Sequence, residues 1–250
     1  MTNKYDEALK ALAPPEEFDP RVFQGDETCS QSLCNFELSL ALFFNDFKDI
    51  VLGYQLVLRQ FPKDTDRASK DLGHADGMSE HLYRLLMGII HELLELIDDD
   101  RRLLDHPYLL RVVKKLHPDA KKAWRTLTSV EVGPKSKDPV ARLVHFARNK
   151  VAFHYDAKAI ANGFRSFVGT SRPPYFSHAP SMAGTRFYFA DAAAQQLMRG
   201  QADPGIVEDF FSGRLSIFMQ VNHAVREVVA GFVRLRIRDL QRKRPTPNSP

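Results

Sequence analysis

The chain has 250 residues and 28.5 kDa, with 44% hydrophobic and 26% charged residues, a composition that fits neither a disordered segment nor a membrane-embedded protein. A chain of this length buries roughly 70 to 75% of its unfolded surface and needs no disulfide or metal to hold a core. The net charge of +4 and pI of about 9.0 invite a nucleic-acid reading, but residues 226–250 alone carry +5, so the rest of the chain is close to neutral.

Cys29 and Cys34, the two cysteines, are five apart in what reads as a helix, so they are expected to point in different directions and to suit a reducing compartment. The N-terminus is charged where a secretory signal needs an apolar core. The longest apolar run, Leu38 to Phe44 interrupted by Ser39, falls short of the ~20 residues of a spanning helix. A cytoplasmic protein with no membrane segment is the expectation.

In chain order, residues 1–25 read as an extended arm, with Pro14, Pro15 and Pro20 in an acidic context. A long amphipathic helix is predicted from Glu27 to about Phe61, because Leu33, Phe36, Leu40, Phe43, Phe47 and Ile50 recur at spacings of three and four. A second, antiparallel to it, is predicted from Ser79 to Asp98. Shorter helices follow: Leu103 to Leu116, one opened by Pro118, one capped by Asp138 and running to about Tyr155, and Ala157 to Val168. Residues 169–190 are loop-rich, with Thr185 to Phe189 carrying strand composition. A short helix from Ala190 to Arg199 and a long one from about Pro204 to Arg242 complete the pattern, and 243–250 is a disordered basic and Pro-containing tail. The prediction is an all-α helical bundle forming one domain over 26–242, with a core of about 27–155.

Familiar catalytic motifs are absent: no glycine-rich phosphate loop, Cys-x-x-Cys, His-Glu-x-x-His or Gly-x-Ser-x-Gly. His91 and Glu92, followed by Glu95 and by Asp98, Asp99 and Asp100, resemble metal donors, but a di-metal bundle needs Glu-x-x-His on two helices. No metal and no cofactor are therefore expected, and His91 reads as a helix-surface or satisfied core residue.

The informative segment is Arg142 to Asp156. On an ideal helix Arg148 and His154 lie about 60° to either side of Val151, straddling an apolar stripe of Val140, Val144, Ala147 and Val151. Their axial separation is about 9 Å, which a long arginine and an imidazole can partly close. A group titrating near neutrality beside a fixed positive charge is what metal-free RNA cleavage requires. The bland alternative pairs Arg148 with a carboxylate, Asp156 or one on a neighbouring helix, and leaves His154 to cap or fill a core edge.

Arg148-Asn149, followed by four residues and His154, resembles the signature of the HEPN (higher eukaryotes and prokaryotes nucleotide-binding) domains, many of which are metal-independent endoribonucleases of toxin, antiphage and CRISPR systems. With four to six intervening residues Arg and His pair six times in the chain, but only Arg148 is followed by Asn, Asp or His. The resemblance implies a homodimer whose two copies build one composite site, an RNA substrate and, for a toxin, a restraining partner protein. It implies catalytic roles for Arg148, Asn149 and His154. Asn149 falls about 160° from Val151 on an ideal helix, so it serves the site only from a distorted turn or across a partner. His145 and Lys150 are secondary candidates for phosphate contact. The rival reading is a non-catalytic helical interaction or nucleotide-binding module.

Overall fold

The computed structural model describes residues 16–58, 70–170, 176–182, 185–201 and 216–243. Eight α-helices make up the fold among these residues: α1 (Gln31–Leu58), α2 (Lys70–Asp99), α3 (Pro107–Lys115), α4 (Pro118–Thr128), α5 (Pro139–Ala147), α6 (Ala157–Val168), α7 (Tyr188–Gln201) and α8 (Ser216–Lys243). Short 3-10 turns cover Pro20–Phe23 and Arg101–Asp105, and a π turn covers Arg148–Ala152. None of the described helices is long and apolar enough to cross a membrane.

The helices start where side chains can satisfy orphan amide groups. Asp138 accepts the Ala141 amide at 2.9 Å with Pro139 in the first turn, and Asp156 accepts the Ala159 amide at 2.9 Å. α1 packs along α2, α2 carries α5 and the π turn on another side, and α8 lies against α1, α3 and α4. α6 and α7 pair closely because Gly163 leaves no Cβ to collide with the Ala193 carbonyl. One continuous apolar core runs through these layers and includes Phe36, Leu40, Ile90, Leu94, Trp124 and Val228.

Several predicted boundaries move. α1 begins four residues later than the periodicity suggested, since Asp26 forms a turn that accepts the amides of Thr28 and Cys29, and Ser30 Oγ accepts the Leu33 amide. Cys29 therefore precedes the helix, and its Sγ lies 3.6 Å from that of Cys34, where divergent thiols were expected. Both are buried, and burial first, then the neighbouring thiol, pushes Cys29 up to about 12. α2 begins nine residues before the predicted Ser79 and takes Gly73 and Gly77 into the helix. Leu103 to Leu116 divides at His106, because Pro107 cannot donate inside a helix and opens α3. Thr185 to Phe189 is not a strand: Arg186 makes an isolated bridge to Ser177, and Tyr188 already starts α7. The terminus at Phe61, most of the proline-rich arm, the start of the last helix near Pro204 and the tail beyond Lys243 lie outside the described residues.

Arg236, one of the basic residues that give 226–250 its charge, is 1% exposed in α8. It donates to the carbonyls of Val22 and Gln24 at 3.0 and 2.7 Å and to Asp26 at 3.0 Å, fastening α8 to the segment before α1. Burial opposes ionisation of Asp26, but hydrogen bonds from Thr28, Arg236 and Lys243 outweigh it and hold the carboxyl well below its usual range. Two carboxyls lie in the opposite situation. Burial pushes Glu37 in α1 up to about 8, with neither oxygen hydrogen-bonded among the described residues, and does the same to Glu80 in α2.

Candidate functional site

The apolar stripe of the Arg142 to Asp156 segment forms as predicted and is used within the molecule. Val144, Ala147 and Val151 are buried, with α5 seated on α2. It is therefore not an open groove between Arg148 and His154, and it is not free to form a dimer interface. The regular helix expected to reach Tyr155 ends at Ala147 and widens into the π turn, where the Phe153 amide bonds the Arg148 carbonyl at 3.4 Å, five residues back. Such turns are rare and recur at functional sites.

The widened turn is the distortion that Asn149 required. Its amide nitrogen donates to the His145 carbonyl at 2.9 Å and stands 3.4 Å from each ring nitrogen of His145. Its Oδ1 accepts from Arg148 Nη1 at 3.1 Å. Arg148 Nε donates to Glu92 on α2 at 3.1 Å. Arg148 thus has a carboxylate partner on a neighbouring helix, while Asp156 pairs with Lys150 at 2.6 Å. The hydrogen bond from Lys150, followed by that from the Ala159 amide, lowers the Asp156 carboxyl. Lys150 is tied to the residue that caps α6, where a candidate phosphate contact was expected.

His145, half-buried, turns toward α2, where its Nδ1 meets Nε2 of His91 at 3.0 Å. His91 is buried, and its Nδ1 has no hydrogen-bond partner among the described residues, so it is not the satisfied core residue expected. The nearest acidic atom is Glu95 Oε2, at 3.5 Å. Burial holds the His91 imidazole below its ordinary value, with His145 and Arg148 pushing the same way against Glu95 and Glu92. One donor atom each from His91, Glu92 and Glu95 lies within 4.8 Å of the others.

His154 stands apart from this group, two residues beyond the π turn, exposed and with no hydrogen bond or ion pair to another described residue. Its position is fixed indirectly. The ring of the preceding Phe153 lies over Gly88 of α2, where a Cβ would meet it at 2.5 Å. Phe153 and Tyr155 are 47% and 78% exposed, so the residues that flank His154 in sequence both carry accessible aromatic rings.

Arg148, Asn149 and His145 thus come together on one face with His91 and Glu92, whereas His154 and Lys150 do not join them. The α2 contribution escaped the sequence reading because it comes from residues more than fifty positions away. The available signal was the one-turn spacing of His91 and Glu95. No protein-family model matches this chain, and neither a curated protein nor a solved structure shows similarity to it.

Proposed function

We propose that this protein is a metal-independent endoribonuclease of HEPN type, acting as a homodimer with a composite site. The observation that carries the reading is the Arg148 guanidinium, held by Glu92 and Asn149 on a π turn, with the exposed His154 imidazole, unpaired among the described residues, two residues beyond it. In this reading His154 takes the proton of a ribose 2'-hydroxyl, and the 2'-oxygen attacks the adjacent phosphorus. The 5'-oxygen leaves with a proton from a second imidazole, that of the partner copy. Arg148 neutralises charge on the phosphorane oxygens, and Asn149 keeps the guanidinium aimed. The products are a 2',3'-cyclic phosphate and a 5'-hydroxyl. The exposed rings of Phe153 and Tyr155 offer stacking surfaces to unpaired bases. Arg234, Arg238 and Arg242, exposed at four-residue intervals on α8, supply phosphate contacts, while buried Arg236 is withdrawn from that role. A toxin or defence role, with a restraining partner protein, is the biological setting this chemistry fits.

The test is cleavage of RNA in EDTA by the full chain. His154→Ala lowers the rate at least about a hundredfold, in line with the loss of one positioned acid or base. Arg111→Ala, which removes an arginine already tied to Asp239 at 3.2 Å, leaves it within a few fold. Equal losses at His154 and Arg111, or cleavage that requires magnesium, overturn the assignment. In that event the same exposed aromatic rings favour a non-catalytic interaction module.

A further inference from the structure

We infer that His91, Glu92 and Glu95 form a binding site for a divalent transition-metal ion of the zinc class. The inference goes beyond the ribonuclease reading, and its test uses no RNA.

The donor group is compact, with one ligand atom from each residue inside a 4.8 Å span. What distinguishes it from an ordinary acidic surface is the orphaned nitrogen. His91 is 1% exposed, and its Nδ1, the edge facing Glu95, has no hydrogen-bond partner among the described residues. A buried polar atom left this way loses the hydration it had in the unfolded chain without replacement. The opposite ring nitrogen explains the direction. Nε2 meets His145 Nδ1 at 3.0 Å, and exactly one proton can occupy that contact. When His91 is the donor, its Nδ1 carries a bare lone pair aimed at a carboxylate oxygen 3.5 Å away, and two acceptors face each other. A cation between them turns that repulsion into coordination.

The surroundings have the organisation of a metal site. A ligating histidine characteristically gives its other N–H to an acceptor that fixes its tautomer, which is the part His145 plays when His91 is the donor of the 3.0 Å contact. Glu92 receives Arg148 at one oxygen, Oε1, so its carboxylate is oriented and Oε2 remains available. His91 and Glu95, one helical turn apart, close on an ion without any rearrangement of α2. One imidazole and two carboxylates suit zinc or a neighbouring first-row ion better than magnesium, which rarely takes nitrogen, and three protein ligands leave a coordination position open.

Zinc chloride titrated calorimetrically into the full-length protein, after chelator treatment and dialysis, should bind at one equivalent per chain. Cobalt(II) at the same site should give visible bands of four- or five-coordinate geometry. Glu95→Gln, at a half-exposed position that leaves the core intact, should weaken zinc at least about tenfold, and His145→Ala about ten- to a hundredfold through loss of the orienting acceptor. Asp99→Asn, in the neighbouring acidic run, should change nothing. His91→Gln should abolish stoichiometric binding, and Glu95→Gln carries the test if that variant does not fold. Absence of a one-equivalent transition in the wild type, equal affinity in Glu95→Gln, or loss of binding in Asp99→Asn overturns the site.

Discussion

Arg148→Ala separates a functional arginine from a structural one, because its ion pair is too exposed to carry the fold. The Arg148 and Glu92 side chains are 30% and 50% exposed, and their contact is 3.1 Å. At that separation the Coulomb attraction is about 1.3 kcal/mol in bulk water. Ordering two long side chains and screening by salt offset most of it, so an exposed pair contributes at most about 1 kcal/mol. The lost hydrogen bond to Asn149 adds on the order of 1 kcal/mol. A total near 2 kcal/mol lowers Tm by about 4 to 8 °C in a chain of this size. The proposed chemistry sets a different scale, since loss of one preorganised donor to a developing oxyanion costs about 10² to 10³ in rate. Urea unfolding followed by fluorescence of Trp124, the single, buried tryptophan, gives the first quantity, and cleavage of a labelled RNA in EDTA gives the second. Arg148→Lys, which keeps the charge and loses the planar fork, should recover only part of the rate. An Arg148→Ala protein that cleaves at the wild-type rate, or one that loses more than about 4 kcal/mol of stability, refutes the reasoning.

Three further outcomes are expected. Gly88→Ala pushes the Phe153 ring off α2 and displaces His154, lowering cleavage about tenfold or more while leaving Tm unchanged or slightly raised; an unchanged rate shows that the Phe153 seat is irrelevant. Glu37 and Glu80 are each pushed up to about 8 by burial, so they hold protons in the folded state that the unfolded chain releases above the ordinary carboxyl value near 4.3. Their contribution is fully present below that value and declines as pH rises toward 8, by about 1.4 kcal/mol per pH unit for each group. Glu37→Gln should flatten that decline in denaturation curves taken from pH 5 to 8, and an unaltered slope contradicts the assignment. Replacing Arg234, Arg238 and Arg242 by Gln should lessen the slope of log affinity against log salt for single-stranded RNA by about 2, at roughly 0.7 per phosphate; an unchanged slope assigns the stripe to solubility.

What the sequence revealed depended on whether the signal was local. The periodicity of Leu33 to Ile50 and the Asp-Pro start at residue 138 gave the body of α1 and the start of α5, since both are properties of consecutive residues. The loop reading of Thr185 to Phe189 as a strand failed because aromatic and β-branched content describes a half-buried surface, which Tyr188 also provides as the first residue of a helix. The burial of Arg236 was not legible for the converse reason: a run of basic residues carries no mark of which one faces carbonyl oxygens over two hundred positions away. At the candidate site the order Arg148-Asn149 singled out the segment, and helix geometry required a distorted turn or a partner for Asn149 to share a face with Arg148. The partners on α2 were not, because nothing local says that His145 will meet His91.

The π turn has a consequence for how this surface can change. It differs from an α-helical turn by one residue, and it lies between two anchors, the Asp138 cap of α5 and the Asp156 cap of α6, each of which holds its own helix. Length variation between such anchors is absorbed locally: dropping one residue restores ordinary helical phase, and both flanking helices keep their seats. Insertions and deletions are ordinarily ruinous inside a packed helix, because every later side chain rotates off its face. Here the five residues Arg148–Ala152 form a cassette in which a single-codon deletion would re-aim the guanidinium, the amide and the downstream imidazole together, giving inheritance a discrete step that substitution alone does not offer.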